Sequence, residues 1–190
     1  MYVTRRIPAH FSSPTFLPAS FANYGRLRCS NLFKSCSSIC DLKRLHAYLL
    51  TQGLASSLHL ATKLVSLASA LSPTMEYARK LFELMADRDS FLWNTLIRGY
   101  ATIGPCEEVP GLYKEMHLAG FSPDYYTFPF VVRSCAVVSA IREGKQVHCS
   151  IVKNGLDSNI FAQGSLITLY SQSGEISDAE LGFGEMDERV

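Results

Sequence analysis

Apolar side chains recur along most of this chain with the period of an α-helix. In residues 58–71, LHLATKLVSLASAL, the side chains of Leu58, Ala61, Leu64, Val65, Ala68 and Leu71 fall near one face. Residues 74–86, TMEYARKLFELMA, form a second amphipathic segment, and Ser72-Pro73 parts the two. The same reading predicts helices over 91–103, 106–118, 126–137, 141–153, 160–171 and 176–186. Gly104-Pro105 reads as a turn. Ala119-Gly120 and Asn154-Gly155 read as helix ends, the first with a glycine C-cap. The helical pattern begins at about residue 26.

The predicted helices come in pairs of about 35 residues, and the last third of the chain repeats the first. Gly53-Leu54 and Gly155-Leu156 lie 102 residues apart, as do His46 and His148. Ala78 with Ala179, Phe82 with Phe183 and Met85 with Met186 are 101 apart, and Ser35-Cys36 and Ser134-Cys135 are 99 apart. About 101 is three times about 34, the length of a helix–turn–helix repeat. A lone pair cannot bury both apolar faces, whereas stacked neighbours can. The expected fold is therefore all-α: an α-solenoid of about five hairpins after a disordered N-terminal leader. Tyr77, Leu81, Phe82 and Met85, and Leu112, Tyr113 and Met116, are expected in its core. An array of this kind works along one extended face rather than in a single buried site.

Composition changes this picture in three ways. The formal charge of +1 conceals an asymmetry: residues 1–40 hold five basic residues and no acid, which leaves about −4 for the rest. That balance argues against a strongly basic nucleic-acid binder. Residues 1–25 hold no acid, carry Arg5, Arg6 and several serines, and are broken by Pro8, Pro14 and Pro18, a composition that suits a cleaved organelle transit peptide. The alternative is a disordered tail. The six cysteines show no C-x-x-C, so zinc-ligand spacing is absent and buried, reduced thiols are expected. No run of about 20 apolar residues is present, so no membrane span is expected.

Residues 90–124, SFLWNTLIRGYATIGPCEEVPGLYKEMHLAGFSPD, resemble a pentatricopeptide repeat through Trp93-Asn94-Thr95-Leu96-Ile97, Gly99-Tyr100, Gly104, Tyr113, Met116, Gly120 and Pro123-Asp124. Residues 125–159 resemble the family's long variant through Thr127-Phe128-Pro129-Phe130, Ser134-Cys135, the 144–148 segment GKQVH and Lys153-Asn154-Gly155-Leu156. Residues 160–190 resemble its short variant through Ser165-Leu166-Ile167, Leu169-Tyr170, Gly174, Asp178-Ala179 and Met186. Residues 58–89 are similar to another short unit, and 26–57 to a shortened long one. The order long, short, standard, long, short resembles the plant organellar subfamily linked to RNA editing. The tetratricopeptide array, a rival of the same length, has a W-x₂-L-G-x₂-Y signature that is missing here.

The resemblance implies single-stranded organellar RNA as partner, with one base read per unit by two or three side chains. It assigns the fifth residue of the first helix and the last residue of the unit to the base edge, and the second residue to packing on the base. In the standard unit these are Asn94, Asp124 and Phe91, a pairing that implies uracil over cytosine. In the first short unit they are Thr62, Asp89 and His59, which imply guanine. Tyr126 and Phe161 are the stacking candidates of the last two units. There Pro129 with Asn159, and Gly164 with Val190, make poor reading pairs. Read without the resemblance, Asn94 and Thr62 are first-turn helix polar residues, and Asp89 and Asp124 are helix-entry caps. Arg98 and Arg133, one turn beyond the fifth position, face either phosphate or solvent. His46 and His148 read as packing residues.

No catalytic motif is present: neither the zinc deaminase H-x-E with P-C-x-x-C nor a phosphate-cradling glycine loop. The expectation is a non-catalytic protein with no cofactor and no metal. It would be a monomer and would use editing or processing factors in trans, in the mitochondrion or, alternatively, the chloroplast. A protein-binding helical scaffold and a non-functional fragment are the other readings. Two helices look damaged, by Pro110-Gly111 inside 106–118 and by Gly182 and Gly184 in the last one, which makes a truncated product plausible. Four usable units at roughly 1–3 kcal/mol per stacked base, less association costs of about 4 or more, place binding at micromolar or weaker.

Overall fold

The computed structural model describes residues 29–54 and 57–174. Its helices are α1 (Cys29–Ser35), α2 (Ile39–Thr51), α3 (Leu58–Leu71), α4 (Glu76–Glu83), α5 (Ser90–Thr102), α6 (Val109–Leu118), α7 (Phe128–Val137), α8 (Ile141–Lys153) and α9 (Ile160–Ser173). No strand occurs among the described residues. Two units divide the chain. α1 belongs to the one that ends at Ser35, and α2 to α9 belong to the one that begins at Cys36. The expected leader over 1–25, the last helix over 176–186 with its glycines, and Val190 lie outside the described residues.

In the larger unit α3 packs on α4, α5 on α6 and α7 on α8, each pair a hairpin with a short connection. The first helices of successive pairs also form a row, α3 on α5, α5 on α7 and α7 on α9. This is the stacked α-solenoid that the 34-residue spacing predicts. The apolar patterns explain the layering. α5 touches α3, α4, α6 and α7, and it buries a broad set: Leu92, Trp93, Leu96, Ile97 and Tyr100. α8 makes fewer contacts and buries only the stripe Gly144, Val147 and Ile151, with polar residues elsewhere. Between neighbouring hairpins, Phe82 meets Trp93 edge to face with ring centroids 4.6 Å apart. Burying an aromatic or aliphatic side chain of this size contributes about 1.5–3 kcal/mol. Leu81, Phe82, Leu112, Tyr113 and Met116 are buried as the pattern implies, whereas Tyr77 and Met85 are only half-buried.

The glycine helix ends are as read. Gly120 and Gly155 take φ of +83° and +67°. That left-handed turn lets the N–H of Phe121 donate to the Met116 carbonyl at 3.0 Å, and that of Leu156 to the Ile151 carbonyl at 3.1 Å. Ser72-Pro73 does separate α3 from α4.

Two expectations need correction. Pro110 does not damage a helix. Residues Cys106–Glu108 form a short 3-10 turn and α6 starts at Val109, so Pro110 falls in its first turn. There its missing N–H has no intrahelical acceptor to lose, and the roughly 3 kcal/mol cost of an interior proline does not arise. The cysteines are not generally buried either. Cys40 and Cys149 are exposed, Cys36 and Cys106 half-buried, and Cys135 alone among these is enclosed. Burial pushes the Cys135 thiol up to about 11. The outer helices are linked by charge: Arg79 on α4 pairs with Glu83 at 2.7 Å and with Glu115 on α6 at 3.0 Å.

Candidate functional site

The first helices of successive hairpins place Thr62, Asn94, Pro129 and Gly164 in their opening turns. Asn94 is buried in the first turns of α5. Its side-chain nitrogen donates to both carboxylate oxygens of Asp124, at 3.0 and 3.1 Å. Asp124 ends the connection from α6 and lies 30 residues further along. A carboxylate only accepts, so it fixes which end of the Asn94 amide is nitrogen. The structure thus brings this expected pair together.

Asp124 is also a helix-entry cap. Its Oδ1 accepts the backbone N–H groups of Tyr126 at 2.9 Å and Thr127 at 3.0 Å. In return the Asp124 N–H donates to the Thr127 hydroxyl oxygen at 3.0 Å, a reciprocal box across the entry to α7. The Thr127 hydroxyl in turn donates to Asn94 Oδ1 at 2.6 Å. The sequence marks Thr127 as part of the long-variant pattern but not as a residue of the site. The signal was available in the spacing Asp124-x-x-Thr127, which is that of a capping box, but it does not reveal the contact to a helix 33 residues away.

Thr62 and Asp89 are arranged differently. The Thr62 hydroxyl donates back to the Leu58 carbonyl at 2.9 Å within α3. Asp89 caps α5, accepting the Leu92 N–H at 2.7 Å. No hydrogen bond joins the two. At the position that Thr127 holds beside Asn94, this pair has the buried aliphatic Leu92. The two pairs therefore differ in hydrogen bonding and in the polarity of the residue that follows.

The expected stacking residues are open to solvent. Phe91 is 67% exposed, Tyr126 58% and Phe161 71%, and His59 is exposed as well. Tyr125 lies against Tyr126 with ring centroids 4.2 Å apart. Pro129 is half-buried in the first turn of α7 and brings no polar group. A side chain built on Gly164 would meet nothing within 4 Å. Asn159 caps α9, accepting the N–H groups of Phe161 and Ala162, both at 3.1 Å. Arg98 and Arg133 are exposed and unpaired among the described residues.

His46 and His148 are half-buried against phenols, as packing residues would be. Among the described residues no three His, Cys, Asp or Glu side chains are placed to hold a metal ion, and no helix is long and apolar enough to cross a membrane.

Residues 88–137 match the PPR repeat family, and residues 164–189 match the PPR repeat. The chain is also similar to pentatricopeptide repeat-containing proteins of Arabidopsis thaliana. It is 39% identical over 183 residues to one named chloroplastic/mitochondrial, covering 94% of this chain and 28% of that protein. To a second it is 40% identical over 159 residues, 82% of this chain and 19% of that protein. To a third, named chloroplastic, it is 33% identical over 187 residues, 96% of this chain and 25% of that protein. The chain therefore spans less than a third of the length of each of these relatives. With its stacked helical hairpins and these matches, the chain belongs to the pentatricopeptide repeat family.

Proposed function

We propose that this chain binds single-stranded organellar RNA in sequence, one base per hairpin, and serves RNA editing or other transcript processing without catalysing it. The observation that carries this is the hydrogen-bonded Asn94–Asp124 pair with the exposed ring of Phe91 one helical turn before it. An amide beside a free aromatic face can pair with a base edge while the ring stacks on the base. The order of unit types supports the plant organellar editing subfamily. The acid-free leader and the names of the relatives support an organelle, and we assign the mitochondrion first. Processing or editing enzymes would then act in trans on the bound transcript, and the chain would work as a monomer.

A protein-binding scaffold is the second reading, and one observation favours it. The second helices of the hairpins end in exposed aliphatics, with Leu84 70% and Leu118 88% exposed. Fluorescence anisotropy of the full chain with a labelled single-stranded RNA tests the first reading. Stacking predicts that Phe91→Ala weakens binding by about 1–3 kcal/mol. Equal affinity for RNA in the parent and in this variant would favour the scaffold.

A further inference from the structure

We infer that Thr127 is a positioning residue that fixes the orientation of the Asn94 amide and thereby selects uracil against cytosine at that hairpin's nucleotide. The inference rests on the RNA reading given above and adds a third residue to its Asn94–Asp124 pair.

Acceptor capacity decides where the Thr127 proton lies. Asp124 Oδ1 already receives the N–H groups of Tyr126 and Thr127 and the Asn94 amide. The Thr127 hydroxyl has one proton and two oxygen neighbours, Asn94 Oδ1 at 2.6 Å and Asp124 Oδ1 at 3.0 Å. The shorter contact leads to the less occupied acceptor, so the proton goes to Asn94. Thr127 is fully buried, and the Asp124 N–H holds its oxygen in place at 3.0 Å. Asn94 is thus gripped at both ends, its nitrogen by a carboxylate and its oxygen by a hydroxyl.

A gripped amide offers one order of donor and acceptor along its remaining edge. Uracil presents an N–H beside a carbonyl, and cytosine presents a bare ring nitrogen beside an amino group. A freely turning Asn satisfies either by rotating its amide half a turn. A fixed one satisfies only one of them. Turning the amide here would aim its oxygen at the Asp124 carboxylate and give up the 2.6 Å bond from Thr127, leaving that proton only the already crowded Asp124 Oδ1. The Thr62–Asp89 pair has no such grip, since Leu92 stands in the corresponding place.

The test compares the full chain with Thr127→Val, which keeps the shape and removes the hydroxyl, and with Thr127→Ser, which restores it. Anisotropy is read with single-stranded RNAs that differ only in uracil or cytosine at the nucleotide facing Asn94. The parent and T127S should share a uracil preference, and T127V should lose at least about fivefold of it. Selectivity at the neighbouring nucleotide facing Thr62 should stay unchanged, which a general loss of folding would not allow. Thr127→Ala is read in the same way if T127V does not hold its fold. A T127V preference within about twofold of the parent's overturns the inference. If the parent itself shows no base preference, the RNA reading fails, and NMR of the free protein judges the positioning alone. The Asn94 side-chain amide protons should exchange with water more slowly in the parent and T127S than in T127V. Equal exchange in all three overturns it.

Discussion

His46 on α2 hydrogen-bonds the Tyr77 hydroxyl on α4 at 3.0 Å, with the two rings 6.3 Å apart and edge to face. Its counterpart 102 residues on, His148, hydrogen-bonds Tyr170 on α9 at 2.7 Å. Equivalent histidines thus take a phenol from the following hairpin, the first from its second helix and the second from its first helix.

Burial lowers the pKa of His46 below its ordinary 6.5. The unfolded chain then binds a proton at a higher pH than the folded one. Stability from this group is present above pH 6.5 and is lost as the pH falls through and below it. Thermal unfolding at pH 7.5 and pH 5.5 should show a larger loss for the parent than for His46→Gln. Equal losses would show that His46 titrates as freely in the fold as outside it.

Gly144 on α8 faces Leu169 on α9 so closely that an added Cβ would lie 2.5 Å from Leu169 Cδ2. Leu169 is itself buried, so it has little room to give. Gly144→Ala should destabilise the chain by about 1–3 kcal/mol, as overpacking does. In urea unfolding, adding Leu169→Val should recover part of that loss. A neutral G144A would mean that α8 and α9 leave room for a methyl group between Gly144 and Leu169.

Asp89 has two assignments that can be separated. As the cap of α5 it should lose about 0.5–2 kcal/mol of stability on replacement by Ala and little on replacement by Asn, which caps equally well. As a base-reading residue it should lose guanine preference at its nucleotide with either replacement. If D89N keeps both stability and base preference, Asp89 is a cap alone.

The amphipathic periods made the hairpins legible, because a helix of this array shows its apolar stripe without help from its neighbours. The helix starts were less legible. A run such as CEEVPGLYKEM reads as one helix with a proline inside, and only the structure shows the 3-10 turn that moves Pro110 to the first turn. Burial of the cysteines also failed to follow from residue type, since the outer helices α2 and α8 are covered on one side and leave Cys40 and Cys149 to solvent. The contact between Asn94 and Asp124 was legible from their places in the repeat. Thr127 was not, because its role depends on a contact between hairpins rather than on spacing within one.

Neighbouring hairpins are proposed to read neighbouring bases, Thr62 with Asp89 preferring guanine and Asn94 with Asp124 preferring uracil after it. Anisotropy of the full chain against single-stranded RNAs carrying all sixteen dinucleotides in one fixed context measures this directly. Weak binding calls for micromolar protein. Guanine followed by uracil should bind best. Asn94→Thr should move the second preference from uracil towards guanine by roughly fivefold or more, the size of a lost base-edge contact. Sixteen equal affinities, or an unchanged preference in N94T, would contradict this reading.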